Sequence, residues 1–234
     1  MPIFFPEREE NGLALLSKED SHHAIKVLRL RPGSAVQAAV GGKRFAGQLT
    51  LQGELAGVKL AQELPSTESP VRVTLYQGLP KGDKLETVVR AATELGACAI
   101  VPCLFTRCVV KTAAGLETKR QARLQKIARE AAMLSYRTAL PEIGELLRFE
   151  ALCERLKAHQ LALVPWEEAA GGLMPGLHGD VHDIALVIGP EGGITADEIA
   201  RLPATPMSLG PRILRTETAG AAAIAMMMAR MGIG

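Results

Sequence analysis

The hydrophobic rhythm of this chain changes once, near residue 70. Before that point apolar and polar residues alternate over short runs. Ser34–Val40, Arg44–Leu51 and Gly57–Leu64 read as strands, and Gly41-Gly42 reads as the hairpin turn between the first two. Only Ser21–Leu30, ahead of them, has helical spacing. Residues 1–68 are therefore expected to form a small β-barrel. The run Pro65-Ser66-Thr67-Glu68-Ser69-Pro70 is polar and bounded by prolines, which reads as a linker.

From residue 71 to 234, short apolar runs alternate with longer helical ones. Val71–Gln77, Cys98–Leu104, Leu161–Pro165, Ile184–Ile188 and Met207–Leu209 read as buried strands. Helical spacing covers Asp83 to Leu95, Thr118–Tyr136, Glu145–His159, Ala196–Leu202 and Thr216–Met231. The pairs Asp83/Glu86 and Thr195/Glu198 have the spacing of capping boxes. This order predicts an α/β fold, a mostly parallel sheet with helices on both faces. Ligands of such sheets sit beyond the carboxyl ends of the strands. The loops after Val164, Ile188 and Leu209 qualify.

Two of those loops carry candidate chemistry. One is Ile188-Gly189-Pro190-Glu191-Gly192-Gly193. The other is Gly210-Pro211-Arg212-Ile213-Leu214-Arg215-Thr216-Glu217-Thr218-Ala219. Glycine and proline at strand ends set turns that bring main-chain polar groups close to a ligand. Neither run is a dinucleotide fingerprint or a P-loop. Pro190 removes an N–H that a phosphate would use, and Glu191 adds negative charge. A ligand with an adenine ring and no phosphate fits better. S-adenosylmethionine meets that description, and its positive sulfonium tolerates a nearby carboxylate.

Composition narrows the classes. The chain has 234 residues, 47% of them hydrophobic and only 3% aromatic, so its core must be aliphatic. No apolar run approaches the about 20 residues needed to span a bilayer, and the N-terminus lacks a basic-then-apolar leader. A cytoplasmic location away from membranes is expected. Cys98, Cys103, Cys108 and Cys153 lack the paired spacing of zinc sites, so no metal is expected. Net charge is +2, but it is unevenly spread. Residues 22–44 hold Lys26, Arg29, Arg31, Lys43 and Arg44 with no acidic residue, and residues 81–137 hold eleven Lys/Arg against five Asp/Glu. Localised positive charge points to a polyanion, with solvated helix faces as the plain alternative. The last helix, rich in alanine and carrying Met226–Met228, is apolar on nearly all sides and is expected to be covered all round, either by its own domain or by a partner.

Several runs together resemble a known family. They are His23–Gly33 around Val27-Leu28-Arg29-Leu30, Lys81-Gly82-Asp83-Lys84, Thr93-Glu94-Leu95-Gly96, Arg107, Pro141, Ile188–Gly193 and Leu209–Ala219. Over essentially its full length the chain is similar to the RsmE family of the SPOUT superfamily. That family methylates N3 of a uridine in 16S ribosomal RNA. The resemblance implies a PUA-like N-terminal barrel, a C-terminal domain tied in a trefoil knot, S-adenosyl-L-methionine as cofactor, a homodimer, and 16S rRNA or the 30S subunit as partner. It implies cofactor contacts from Leu163, Val164, Pro165, Ile188, Gly189, Glu191, Gly193, Leu209, Gly210, Ile213, Leu214 and Thr218.

The chemistry assigns further roles. Arg215 and Arg212 suit the negative charge that spreads over O2 and O4 once uracil N3 loses its proton. Glu217 would accept that proton or orient Arg215, and Thr216 or Thr218 would cap the last helix. Glu191 would bind the cofactor's amino group or hold its own loop. Lys81, Lys84, Arg107 and Arg137 would meet phosphates near the site, and His22 (or His23), Arg29 and Arg31 would hold RNA on the barrel. The chain departs from the family at Ile3, Met133, Leu134, Tyr136 and Ala139, which replace polar, small or basic residues. Two other readings stay open: ribose 2′-O-methylation by a related knotted enzyme, and a non-catalytic ribosome-assembly role.

Overall fold

The continuous apolar runs beyond residue 70 are the strands of one sheet, with core on both faces as such runs require. They are β7 (Arg72–Gly78), β8 (Ala99–Cys103), β9 (Glu142–Ile143), β10 (Leu161–Pro165), β11 (Asp183–Ile188) and β12 (Thr205–Met207). All pair in parallel, in the order β12-β10-β11-β7-β8-β9. Register then places the site. Gln77 lies opposite Ile188, Leu163 opposite Leu186, and Pro165 opposite Met207, so four neighbouring strands end at nearly one level.

This computed structural model describes residues 1–53, 55–109, 118–169, 174–175 and 177–233. The chain divides into two compact units, Met1–Glu68 with Ala132–Leu140, and Ser69–Ala131 with Pro141–Gly234. Among the described residues no helix is long and apolar enough to cross a membrane.

In the second unit α2 (Lys84–Glu94) packs on α6 (Thr216–Arg230), and α6 packs on β7 and β11. The Thr195/Glu198 capping box forms and opens α5 (Ala196–Arg201). The Asp83/Glu86 box does not. Asp83 has φ −92° and ψ 7°, not the extended cap geometry, and Glu86 bonds Arg123 at 2.9 Å instead. Helix α4 is shorter than its periodicity suggests, Phe149–Leu156. Leu147 exchanges backbone hydrogen bonds with Pro102 and Leu104, which holds residues just before the helix extended beside β8. The last strand ends at Met207 because Ser208 turns the chain, its hydroxyl accepting from the Gly210 N–H at 3.1 Å. Helix α6 buries one face through Ala219, Gly220, Ala223, Ile224 and Met227, while Ala225 and Ala229 are exposed. Within one chain it is not covered all round.

The first unit is a six-stranded mixed sheet, β1-β4-β5-β6-β3-β2. Its long strands are β4 (Ala35–Val40), β5 (Lys43–Gln52) and β6 (Leu55–Leu64). The strands β1 (Ile3–Phe4), β2 (Arg8–Glu10) and β3 (Leu13–Leu15) are too short to show periodicity in the sequence. The helical run of the sequence breaks into α1 (Lys18–His22) and a π-helical turn, His23–Val27, and the chain leaves it through Arg29 at φ +53°.

Helix α3 spans Thr118–Leu134, and its last residues belong to this first unit. There Ala132 packs with Ile3, Phe5 and Ala39, and Met133 lies against the same cluster. Two of the family departures are thus apolar packing, whereas Leu134 is 77% exposed. Glu68 is no free linker residue. It accepts from the Arg137 guanidinium at 2.6 Å and from the Thr138 and Ala139 N–H groups at 2.7 and 3.2 Å.

Candidate cofactor and active site

The level strand ends leave a cavity of about 980 Å³, and three loops wall it. Pro165 ends β10 and Trp166 and Glu167 follow it, Ile188 ends β11 and Gly189–Ile194 follow it, and Ser208–Arg215 follow β12. Lys84 and the first turn of α6 complete the wall. A cavity of this size suits a small molecule the size of a nucleoside derivative.

The 188–194 loop is fixed from below and behind. A Cβ on Gly78 would stand 2.5 Å from the Pro190 nitrogen, so only glycine lets this loop cross the end of β7. Gly189 C=O accepts from the Thr216 hydroxyl at 2.6 Å, and that hydroxyl accepts from Gln77 Nε2 at 2.8 Å. Gln77 is 0% exposed, and its Oε1 has no hydrogen-bond partner among the described residues. Arg107 Nη1 donates to Gly192 C=O at 3.0 Å. The loop carrying Arg107 is in turn held by Glu198, a buried carboxylate. It accepts from the N–H and hydroxyl of Thr106 at 2.7 and 3.0 Å, and from those of Thr195 at 3.0 Å each. Burial works against the Glu198 charge, but those hydrogen bonds win and hold its pKa below the usual glutamate range.

Charge in the cavity gathers at Lys84. Its ammonium lies 3.2 Å from Glu191 Oε1 and 3.3 Å from Glu217 Oε2. Neither contact is aligned as a hydrogen bond, and Glu217 Oε2 is buried with no hydrogen-bond partner among the described residues. Glu191 also accepts from the Lys81 N–H at 3.1 Å. Both carboxylates are held below the usual range. For Glu217 the main cause is its own backbone N–H at the start of α6, with Lys84 and Arg215 adding to it against burial. For Glu191, burial pushes the other way and is outweighed by its own N–H, that of Lys81, and Lys84. The bond to Glu191 raises the Lys84 pKa, against desolvation and with help from Glu217. All three groups are charged near neutral pH.

The structure brings most of the expected site residues together and sets others apart. Pro165, Ile188, Gly189, Glu191, Gly193, Leu209, Gly210, Arg212, Ile213, Leu214, Arg215 and Glu217 all wall the cavity. Leu163 and Val164 do not, because they lie inside β10 with fully buried side chains. Thr218 does not either, since it sits in the first turn of α6 on an exposed side. Neither threonine caps α6. Arg215 takes the cap position with no side-chain hydrogen bond, and Thr216 is spent on Gly189. Lys84 faces two carboxylates and Arg107 braces a loop, while Lys81 is exposed. In the first unit His22, Arg29 and Arg31 are exposed. Arg137 is only 4% exposed and paired with Glu68, so its charge is unavailable to phosphate. Trp166, Glu167, Ser208 and Gln77 went unnoticed in the sequence, although a lone tryptophan just past a strand end was a usable signal for the first.

Residues 67–228 match the family model described as an RNA methyltransferase domain. The chain is 33% identical over 225 residues to ribosomal RNA small subunit methyltransferase E of Bacillus subtilis, covering 90% of this chain and 88% of that one. It is 32% identical to the protein of the same name from Mycobacterium bovis, covering 92% and 86%. Among solved structures, it superposes on ribosomal RNA small subunit methyltransferase E from Neisseria gonorrhoeae bound to S-adenosyl methionine. The TM-score is 0.85, with 32% identity and 98% of each chain covered.

Proposed function

Because this chain belongs to the ribosomal RNA small subunit methyltransferase E family, we propose that it transfers a methyl group from S-adenosyl-L-methionine to N3 of a uridine in 16S ribosomal RNA. One observation carries the reading: a cavity walled by two glycine- and proline-bearing loops and the first turn of α6, which present ionised Glu191 and Glu217 but no phosphate cradle. A nucleotide phosphate would meet two carboxylates and, at Pro190, a missing N–H. A cationic donor without phosphate meets none of these obstacles, and Ile188, Leu209, Ile213 and Leu214 offer apolar wall for its adenine.

When bound, the donor supplies an electrophilic methyl on a positive sulfur. This chain's residues then have three tasks. The braced 188–194 loop fixes one side of the cavity, so that distance and angle to the incoming base are set before reaction. Arg215 and Arg212, on the opposite loop, offer planar forks of donors to O2 and O4 as N3 loses its proton. Glu217 holds Lys84 and faces Arg215, which suits the orienting role better than proton acceptance, because its carboxylate is a weakened base.

The same reading extends to the rest of the molecule. The first unit serves as a PUA-like RNA-binding barrel, with His22, Arg29 and Arg31 toward the RNA. The second unit, residues 71–234 apart from the segment that packs with the first, is the knotted SPOUT domain. The exposed side of α6, which carries Ala225 and Ala229, is the homodimer contact, and the protein works in the cytoplasm on 16S rRNA or the 30S subunit without a metal. The test is transfer of labelled methyl to small subunits that lack the modification, followed by nucleoside mass spectrometry. One N3-methyluridine per subunit is expected, and Arg215→Ala should lower the rate about 100-fold. A product at a ribose oxygen, or no product, would overturn the reading.

A further inference from the structure

The turn His23–Val27 is wound differently from what its sequence pattern asks. In an α-helix Val27 and Leu28 would lie three and four residues beyond Ala24 and share its face. Ala24 is fully buried, so both would point into the core of the first unit. The π-helical turn alters this. The Leu28 N–H closes it on His23 C=O at 2.9 Å, and the Leu30 N–H bonds Ala24 C=O at 3.0 Å. Ala24 stays in the core, and Ile25 and Leu30 pack against that core. Val27 is left 61% exposed and Leu28 39%. Arg29 then leaves the turn at φ +53°, a conformation that few residues other than glycine adopt. Single π-turns of this kind recur at functional sites.

The charges beside these two side chains are all of one sign. His22, Lys26, Arg29 and Arg31 are exposed. Among the described residues none of the four has an ion pair or a side-chain hydrogen bond. No aspartate or glutamate occurs from residue 21 to residue 53. Exposed aliphatic groups among unpaired cations suit a ligand that is anionic and also has apolar faces. A second copy of the same turn would meet it with like charge. An RNA stem offers phosphates but hides its base faces in the stack, whereas an unpaired strand offers both.

We infer that this turn is a platform for unpaired RNA, with Val27 and Leu28 against base faces and Lys26, Arg29 and Arg31 on the flanking phosphates. The inference rests on the RNA-binding role given to the first unit under Proposed function. It adds a preference for the state of the RNA, which phosphate contacts alone do not supply. That preference fits the chemistry, because N3 of a paired uridine is hidden in the base pair.

The test is binding of the whole protein to a short, fluorescently labelled RNA of mixed sequence, single-stranded or annealed to its complement, over a range of salt. The native protein should bind the single strand about tenfold more tightly. Val27→Ser should cut that preference about threefold and leave the salt dependence unchanged. Val27→Phe should raise it, since a ring gives bases a larger face to stack on. Arg29→Ala should weaken binding of both RNAs and lower the salt slope by about 1, with the preference kept. Loss in one Val27 variant and gain in the other is not what a damaged fold would give. Three results would each overturn the inference. They are duplex binding as tight as single-strand binding, a preference that Val27→Ser leaves unchanged or Val27→Phe lowers, and tighter binding to vesicles of anionic phospholipid than to either RNA. None of these bears on methyl transfer to small subunits, so failure of the platform and failure of the methyltransferase reading are told apart.

Discussion

The two loops that face each other across the cavity are held very differently. The 188–194 loop is gripped from four places: Gly78 beneath it, Thr216 on Gly189, the Lys81 N–H on Glu191 and Arg107 on Gly192. The described hydrogen bonds of the 209–215 loop are local ones, between Ser208 and Gly210 and from Thr218 and Ala219 to Arg215. Its Ile213 is 87% exposed, and Arg212 and Arg215 are exposed beside it. The braced loop has the geometry of a template, and the bare loop carries the side chains proposed to meet the substrate. Pre-organisation and adaptability are thus divided between two short segments of similar composition. What divides them is the long-range partners each has, not the glycine and proline they share.

Substitutions should separate the loops by size of effect. Gly78→Ala is expected to be the most damaging, because its new Cβ meets loop backbone that cannot step aside. A loss of about 3 kcal/mol in denaturant unfolding, together with lost cofactor binding, is expected. A loss under about 1 kcal/mol would mean that the loop is not gripped from below. Glu198→Ala comes next. It strands the N–H groups of Thr106 and Thr195 and frees the segment that carries Arg107, for about 2 kcal/mol.

The same carboxylate gives a pH signature. Its pKa is lowered in the folded protein, so its stabilisation is complete above the unfolded glutamate value of about 4.3 and fades as pH falls through the folded value. Melting curves of the native protein should fall on acidification in that window, and those of Glu198→Gln should fall less. Glu68 contributes an acid loss of the same sign and remains in both proteins, so only the difference between them is diagnostic. At the small end, Ile213→Ala should change stability by less than about 0.5 kcal/mol, since its side chain stands in water. A larger loss would show that the bare loop is packed after all.

These contrasts also explain what could be read from sequence. Both loops were visible because each is a contiguous run at a strand end, and strand ends follow from apolar periodicity. The Thr195/Glu198 box was visible because it is a contact within one turn. The Asp83/Glu86 box has the same spacing and failed, because Arg123, far along the chain, competes for Glu86. Lys84 read as a phosphate contact, and only folding places it between Glu191 and Glu217. Arg137 also read as a phosphate contact, and only folding pairs it with Glu68. In the first unit β1, β2 and β3 are two or three residues long and leave no pattern to detect. Pairings over long sequence separation were the part that local patterns could not carry.

The most direct test is a crystal structure of the protein with S-adenosylmethionine. The adenosyl group should lie between Ile188–Gly193 and Leu209–Leu214, with the sulfonium methyl open to solvent on the Arg215 side. An adenosyl group lodged anywhere else in the molecule would contradict the account.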